Sequence, residues 1–338
     1  MINVLKVVFL IIGTIIGAGL ASGKEIYLFF GKYGFLGIIG IITSTLIIGC
    51  VIFKVLKITL KEDICAYENF LNIIIKKDNN KIKIIISNII NIFLLITFYI
   101  MVAAFSAYFV QEFKIPSIIG SICVCVMCYI IFKGNMNNII NTSSVLIPIL
   151  IFFILLLVLK NKECLSSLYA LNHMKNANNI ILSSILYSSY NSILLIPILV
   201  TLKEYIKNKK QIWIISIFTV VIISVISLLI LILISQIHNI ELIEIPIMYI
   251  ANRSGNVYSI IGGISMIIAI FTSALSSGYA FLANFIKKPK LYNYINIAMC
   301  LSALLISRAG FSKLVDLLYP IFGFLGIMQI IMIIKKKT

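Results

Sequence analysis

The sequence predicts an all-α membrane protein of ten transmembrane helices, built as two halves of five with the second half inverted and helices 1 and 6 discontinuous. Composition, the number of apolar runs and their spacing support this prediction. Of 338 residues, 61% are hydrophobic and 12% are charged, and the mean hydropathy is +1.13. Polar residues are therefore too few to cover a soluble globule. The net charge of +17 does not predict a nucleic-acid partner, because the lysines lie in short loops between apolar runs.

Ten apolar runs have the length needed to cross a bilayer. The first run has almost no basic residues before it, and Lys24 and Glu25 stand where a signal peptidase would need small residues, so we expect it to be retained as a span. The runs cover residues 3–30, 33–57, 84–113, 116–133, 136–160, 177–202, 210–236, 254–286, 291–307 and 311–334.

The basic residues predict the orientation of these spans. With a cytoplasmic N-terminus, 19 of the 28 Lys and Arg residues fall on the inner side, and the excess recurs from loop to loop. Because inner loops of membrane proteins are enriched in Lys and Arg, we expect both termini in the cytoplasm of a cell-membrane protein.

The spacing of the runs predicts an internal repeat within one membrane domain, residues 1–338. Measured from residue 3, the later spans of the first half begin at offsets of 30, 81, 113 and 133; measured from residue 177, those of the second half begin at 33, 77, 114 and 134. A unit of five spans begins and ends on opposite sides of the membrane. A second copy over 177–338 must therefore be inverted relative to the first over 3–160. Such five-plus-five repeats with broken first helices are typical of LeuT-type secondary transporters. Chance spacing is the alternative.

Two segments at matching positions predict the helix breaks. The first span carries Gly13, Gly17, Gly19 and Gly23, and the sixth carries the polar stretch LYSSYNS over 186–192. Glycine weakens a helix, and matched interruptions indicate a binding site at the bilayer midplane. The alternative is that glycines allow close helix packing and that Ser and Tyr bond across a bundle. The candidate substrate-binding residues are Gly17, Ala18, Gly19, Ser22, Gly23, Tyr187, Ser188, Ser189, Tyr190 and Asn191, with Tyr99 of the third span as a further candidate that packing alone could also explain.

The predicted cargo follows from what an unwound helix offers. Free N–H groups suit a carboxylate and unpaired carbonyls suit a cation. We find no ionisable residue at the centre of any span, which favours a neutral or zwitterionic solute such as an amino acid.

Other classes of function have little support in the sequence. Cys123, Cys125 and Cys128 point in different directions around one apolar helix, so they cannot face one metal ion together. We expect them to be small buried side chains. Without an acid, histidine or metal-ligand cluster in the spans, we expect neither an enzyme nor a cofactor. No filter-like loop or ring of charge indicates a channel.

The segment GTIIGAGLASGKEIYLFFGKYG, residues 13–34, and the ILYSSYNSILLIP of the sixth span resemble the YkvI-like bacterial membrane proteins of the amino acid–polyamine–organocation (APC) superfamily. The resemblance implies a LeuT-type fold and transport of a small-molecule substrate. It also implies a sodium site, because Ala269, Thr272 and Ser273 match an Ala-x-x-Thr/Ser-Ser/Thr signature of sodium-coupled members. Gly13 and Ile16 would supply carbonyls to that ion. Packing of Ser and Thr against neighbouring helices is the alternative.

The fifth span, residues 136–159, lacks the lysine that replaces this ion in some proton-coupled relatives, so sodium is the expected coupling ion. By the same resemblance Lys24, Glu25 and Asp316 form a candidate outer gate, with Lys24 paired to Asp316 across a closing vestibule, although charges snorkelling to the interface explain these residues equally well. A ligand-sensing subunit, like the germinant receptors of the superfamily, is the alternative to a transporter. The oligomeric state cannot be derived from the sequence.

Overall fold

A computed structural model describes residues 2–64, 66–74, 80–133, 136–162, 179–285 and 289–336. Within them, each of the ten predicted apolar runs is helical. The helices are α1 (Ile2–Ile15), α2 (Ala18–Ser22), α3 (Lys24–Phe29), α4 (Leu36–Lys61), α5 (Tyr67–Ile74), α6 (Asn80–Phe113), α7 (Ser117–Phe132), α8 (Met136–Lys160), α9 (Ile180–Thr201), α10 (Lys209–Ile234), α11 (Pro246–Ser254), α12 (Asn256–Phe285), α13 (Pro289–Ile306) and α14 (Phe311–Lys335).

The structure supports a membrane protein. Six helices are long and apolar enough to cross a membrane, and three shorter apolar helices accompany them in the described part of the chain. Large apolar side chains such as Ile130, Leu305 and Met328 are exposed on the outer surface of the bundle. In a bilayer these side chains would face lipid rather than water, so their exposure is consistent with the composition.

Two segments form the centre of the bundle. Every residue from 10 to 26, in α1–α3, is buried, and so is every residue from 186 to 200 in α9. Helix α1 packs against α8, α9, α10 and α12, whereas α9 packs against α4, α14, α12 and α1. The two segments predicted to form the site are thus the two longest buried segments in the part of the chain that the structure describes.

The predicted discontinuity of the first span is confirmed. Helix α1 ends at Ile15 and α2 begins at Ala18, with Ile16 and Gly17 outside regular helix. The Gly17 N–H donates to the carbonyl of Ile15 at 2.9 Å, so it does not make the α-helical hydrogen bond to Gly13. A second turn follows at Gly23, whose φ of 82° is a left-handed conformation that glycine adopts readily.

The predicted discontinuity of the sixth span is wrong. Helix α9 runs from Ile180 to Thr201 without interruption and includes the whole segment 186–192. Its polar side chains bond back to carbonyls of the same helix: Ser188 to Ile185 at 2.9 Å, Asn191 to Tyr187 at 3.0 Å and Ser192 to Ser188 at 2.7 Å. A regular helix therefore accommodates these groups without an unwound turn.

Candidate functional site

The break in the first span faces α12. The Ser273 hydroxyl donates long hydrogen bonds to two carbonyl oxygens, that of Gly13 at 3.4 Å and that of Thr14 at 3.4 Å. Among the described residues, no backbone N–H is hydrogen-bonded to the carbonyl of Ile16, which is fully buried. Buried carbonyls without a good donor are rare in folded proteins, so this cluster indicates a place where another group completes the hydrogen bonding.

The five predicted ion-site residues meet only in part. Gly13, Ile16 and Ser273 lie at the break, as just described. The Thr272 hydroxyl donates instead within its own helix, to the carbonyls of Ile268 at 3.0 Å and Ala269 at 3.1 Å. A cation would have to draw Thr272 away from these bonds if it used that hydroxyl.

The chemistry of this cluster fits an alkali cation. Neutral hydroxyl and carbonyl oxygens are hard ligands, which alkali and alkaline-earth cations prefer. The described residues contain no group of three His, Cys, Asp or Glu side chains able to hold a metal ion.

Gly17 allows this close approach. A Cβ atom at Gly17 would lie 2.8 Å from the Ser273 hydroxyl oxygen and 3.4 Å from the Met101 thioether. A side chain there would displace the Ser273 hydroxyl from its position beside the break. Met101 is a neighbour of the site that the sequence reasoning missed, since an apolar residue on a long apolar helix carries no distinguishing signal.

Glu25 lies beside the same break, on the side of Gly19. Its side chain is 1% exposed, and a Cβ at Gly19 would lie 2.6 Å from the Glu25 Oε2 atom. A buried carboxyl group thus lies next to Gly19, in addition to the neutral groups predicted at the break. Glu25 lies six positions after Gly19. A straight helix would hold the two nearly two turns apart, and the left-handed turn at Gly23 brings them together.

Tyrosine rings and an amide from α9 surround the Glu25 carboxyl group. Tyr187, Tyr190 and Asn191 approach it, and Tyr319 of α14 lies next to Gly19. Neither Glu25 oxygen has a hydrogen-bond partner among the described residues, and the same holds for the Tyr187 hydroxyl and the Asn191 carbonyl oxygen. The structure thus gathers buried polar atoms whose bonding is incomplete, which is energetically unfavourable unless something else pairs with them.

The other predicted substrate-binding residues have mainly structural contacts. Ser22 donates to the Gly19 carbonyl at 2.9 Å and accepts from the Lys24 N–H at 3.2 Å, which holds the turn at Gly23. Ala18 is buried at the start of α2. Ser188 bonds within α9, as described above. The Ser189 hydroxyl has no partner among the described residues, and the Ser189 carbonyl packs against Gly326.

Tyr99 lies apart from the break. Its hydroxyl forms a 2.6 Å hydrogen bond with the Ser302 hydroxyl on α13, and the side chain is 7% exposed. On the third span, the residue that contacts the break is Met101, two positions further along. Because successive side chains on a helix point about 100° apart, these neighbours face different partners.

The predicted gate pair between Lys24 and Asp316 does not form. The buried Lys24 ammonium group donates to the backbone carbonyls of Glu241 at 2.9 Å and Ile243 at 3.2 Å, in the segment between α10 and α11. Asp316 is exposed on α14. Lys24 therefore ties the end of the first span to that segment, and Glu25 belongs to the interior cluster instead.

A cavity of about 550 Å³ opens near this segment, and no pattern in the sequence predicts it. It lies between α6, α11 and the start of α14 and is lined by Ala103, Gln111, Glu244, Arg308 and Phe311, among others. No residue of the first-span break lines it. Since the residues of the break are themselves buried, the break is enclosed in this conformation of the protein.

Comparison with known proteins supports the membrane class. No family model matches the chain. It is 22% identical over 348 residues to "Uncharacterized membrane protein YkvI" of Bacillus subtilis (strain 168), covering 98% of this chain and 96% of that protein. It is 25% identical over 329 residues to "Uncharacterized protein YyaD" of the same organism, covering 96% and 94%. The similarity extends over nearly the whole chain, but neither name carries a function.

Proposed function

We propose that this protein is a secondary active transporter of the cell membrane, a sodium-coupled symporter of an amino acid or similar small solute that works by alternating access. The observation that carries the proposal is the helix break at Ile16 and Gly17 facing Ser273. In a bilayer, unpaired backbone groups are tolerated only where protein, a cavity or a bound group satisfies them. A sodium ion bound by the Gly13 and Ile16 carbonyls and the Ser273 hydroxyl would do so.

The packing pattern supports the proposed inverted repeat. The spans of the first half are α1, α4, α6, α7 and α8, and their counterparts in the second half are α9, α10, α12, α13 and α14. When every span in a packed pair is replaced by its counterpart in the other half, the resulting pair is in most cases also packed. The pair α1–α8 maps onto α9–α14, α4–α9 onto α1–α10, α8–α12 onto α6–α14, and α7–α12 onto α6–α13. The pairs α4–α10, α6–α12 and α7–α13 map onto themselves. Such exchange symmetry is what a duplicated five-helix unit produces.

Contacts near the ends of the bundle support alternating access. On one side, Lys24 holds the segment before α11, next to the 550 Å³ cavity. On the other, α5 is tied to α14 by a 3.0 Å hydrogen bond from the Gln329 amide to the buried Tyr67 hydroxyl, and Lys203 pairs with Asp63. If both termini are cytoplasmic, the contacts of Lys24 with the segment before α11 lie on the outer side of the membrane. Opening each group of contacts in turn would expose the break alternately to the two sides.

Uptake into proteoliposomes tests the proposal. The full-length protein is reconstituted, and uptake of a mixture of labelled amino acids is followed under an inward sodium gradient. We expect accumulation above the external concentration, and we expect it to be lost when potassium replaces sodium on both sides. Saturable binding without accumulation would contradict the proposal and favour the ligand-sensing subunit. Accumulation independent of sodium would contradict the coupling ion alone.

A further inference from the structure

We propose that Glu25 is a proton-binding site that makes closure of the outer side depend on pH. The carboxyl group holds a proton while the first-span break is enclosed, and it gives that proton to outer water when the contacts of Lys24 open. The inference rests on the proposed function only in taking this opening as a step of alternating access. The proton site itself is argued from the surroundings of Glu25.

Glu25 lies in the interior without a compensating charge. Its side chain is 1% exposed, and it takes part in no ion pair within the described part of the chain. The Lys24 ammonium group donates to the carbonyls of Glu241 and Ile243 instead. A carboxylate is stable in such a place only with an opposite charge or several hydrogen-bond donors beside it, and without them the group stays protonated.

The titratable groups that face Glu25 are all neutral tyrosines. They are Tyr187 and Tyr190 of α9 and Tyr319 of α14. Helix α2 has no titratable residue. The charged residues of α10, of α14 and of the turn after α3 are exposed, namely Lys32, Lys209, Lys210, Lys313, Asp316 and Lys335. The elements around Glu25 therefore bring no positive charge to its carboxyl group.

Aromatic rings pack closely around the carboxyl group. The Tyr190 ring lies between the Phe29 ring at 6.1 Å and the Tyr319 ring at 4.6 Å, nearly parallel to both. The Tyr187 ring packs edge-on against Phe29 at 5.5 Å. None of these residues lines the 550 Å³ cavity. Because both faces of the Tyr190 ring are covered, that ring offers no surface to a larger cation, whereas a proton on the carboxyl group needs no additional space.

A single proton also completes the hydrogen bonding of this cluster. The buried atoms without a partner include both Glu25 oxygens, the Tyr187 hydroxyl and the Asn191 carbonyl oxygen. The Asn191 amide nitrogen already donates to the Tyr187 carbonyl at 3.0 Å. A protonated carboxyl group has one O–H donor, which suits the Asn191 oxygen, and its other oxygen can accept from the Tyr187 hydroxyl. An ionised carboxylate has only acceptors and would leave the Asn191 oxygen unpaired.

The position of Glu25 gives the proton a short route to the outer side. The preceding residue, Lys24, bonds to the carbonyls of Glu241 and Ile243. Ile243 lines the 550 Å³ cavity, and Glu241 lines a second cavity of about 540 Å³. Opening of the Lys24 contacts would admit water to Glu25, which then ionises by transferring its proton to that water. The resulting carboxylate opposes closure until it is protonated again, because burial of an uncompensated charge is unfavourable.

Thermal unfolding of the purified full-length protein as a function of pH tests the proton site. In the unfolded chain a glutamate ionises near about pH 4.3, whereas Glu25 keeps its proton in the enclosed fold, so unfolding releases one proton. We expect the unfolding constant of the wild type, relative to that of Glu25→Gln, to rise by up to about tenfold per pH unit between about pH 5 and about pH 8. Glu62→Gln, the same change at an exposed residue after α4, should follow the wild type.

A ratio that stays constant or falls as the pH rises would overturn the inference, because Glu25 would then be ionised in the enclosed fold. If Glu25→Gln does not fold, infrared spectroscopy of the wild type decides the question. Glu25 is the only buried Asp or Glu among the described residues. The band of a protonated carboxyl group must be present at about pH 7, where exposed carboxyl groups are ionised, and its absence would overturn the inference.

Hydrogen exchange of residues 20–29, which include all of α3, tests the link to opening. After correction for the intrinsic exchange rate, the wild type should exchange faster than Glu25→Gln at about pH 8 and equally fast at about pH 5. Equal exchange in the two proteins at both pH values would refute the link to closure. Absence of sodium-driven uptake, together with these pH effects, would refute the transporter and leave the proton site in place.

Discussion

The first and sixth spans invite comparison because each has a long buried segment, residues 10–26 and 186–200, with residues unfavourable to a helix, yet only the first is broken. Its interruption lies at Ile16 and Gly17, whereas α9 continues through all of 186–192. The difference is one of residue type. Glycine contributes no side chain to stabilise a helical turn, whereas Ser and Asn in α9 bond back to carbonyls of their own helix.

Glycines themselves serve two purposes in this molecule. At Gly323 and Gly326 of α14, an added Cβ would meet the backbone of α9, at the carbonyls of Leu186 and Ser189. At Gly17 and Gly19 it would meet the ends of polar side chains, Ser273 and Glu25. Glycine thus permits close helix packing in one region and opens a polar site in the other.

The largest expected effect is on stability at the packed region. In Gly326→Ala the new Cβ would lie 2.3 Å from the Ser189 carbonyl oxygen and 2.6 Å from its carbon, and neither atom can move without shifting α9. We expect a loss of about 3 kcal/mol or more in the free energy of unfolding. The measurement is the Tm with and without sodium. A variant as stable as the wild type would show that α9 is not locked against α14.

Gly17→Ala should act mainly on the ion site. Its Cβ would lie 2.8 Å from the Ser273 hydroxyl oxygen, a side-chain atom that can rotate away from the Gly13 and Thr14 carbonyls. We expect sodium to bind about tenfold more weakly, equivalent to about 1.4 kcal/mol, with a smaller fall in Tm than in Gly326→Ala.

Gly120→Ala in α7 is the matched control for this change. Its Cβ would lie 3.1 Å from the Ser106 Cα, so it is also crowded but contacts no residue of the break. Titration of the thermal shift with sodium chloride compares the two variants. An equal loss of sodium response in both would mean that glycine at position 17 serves packing only.

The smallest expected effect is at the polar face of α9. Ser192→Ala removes the 2.7 Å hydrogen bond to the Ser188 carbonyl, which remains within a continuous helix. Side-chain hydrogen bonds within membranes contribute about 0.6 kcal/mol on average, so we expect a loss no larger than that. Circular dichroism should report unchanged helicity. A marked loss of helix would show that these side chains hold the segment in its helical form.

Hydrophobicity alone predicted where the helices lie, because length and apolar content dominate the free energy of a helix in a bilayer. The break at Gly17 could be predicted because glycine weakens any helix. The continuity of α9 could not be predicted. A run of Ser, Tyr and Asn does not indicate whether these side chains form hydrogen bonds with other helices or with carbonyls of their own helix.

The position of Glu25 was also beyond prediction. Counting along a regular helix places it outside the break, and only the left-handed turn at Gly23 brings it back to Gly19. Likewise, the resemblance predicts a Lys24–Asp316 pair, whereas the Lys24 ammonium group bonds to backbone carbonyls, which carry no signal in the sequence.

Equilibrium binding of radioactive sodium to the purified protein tests the central claim most directly. Ser273→Ala removes the hydroxyl at the break, and Ser265→Ala makes the same change two turns away on α12, where the hydroxyl bonds only to the Ile261 carbonyl. The account predicts saturable binding in the wild type and in Ser265→Ala, and its loss in Ser273→Ala. Saturable sodium binding of equal affinity in all three proteins would contradict it.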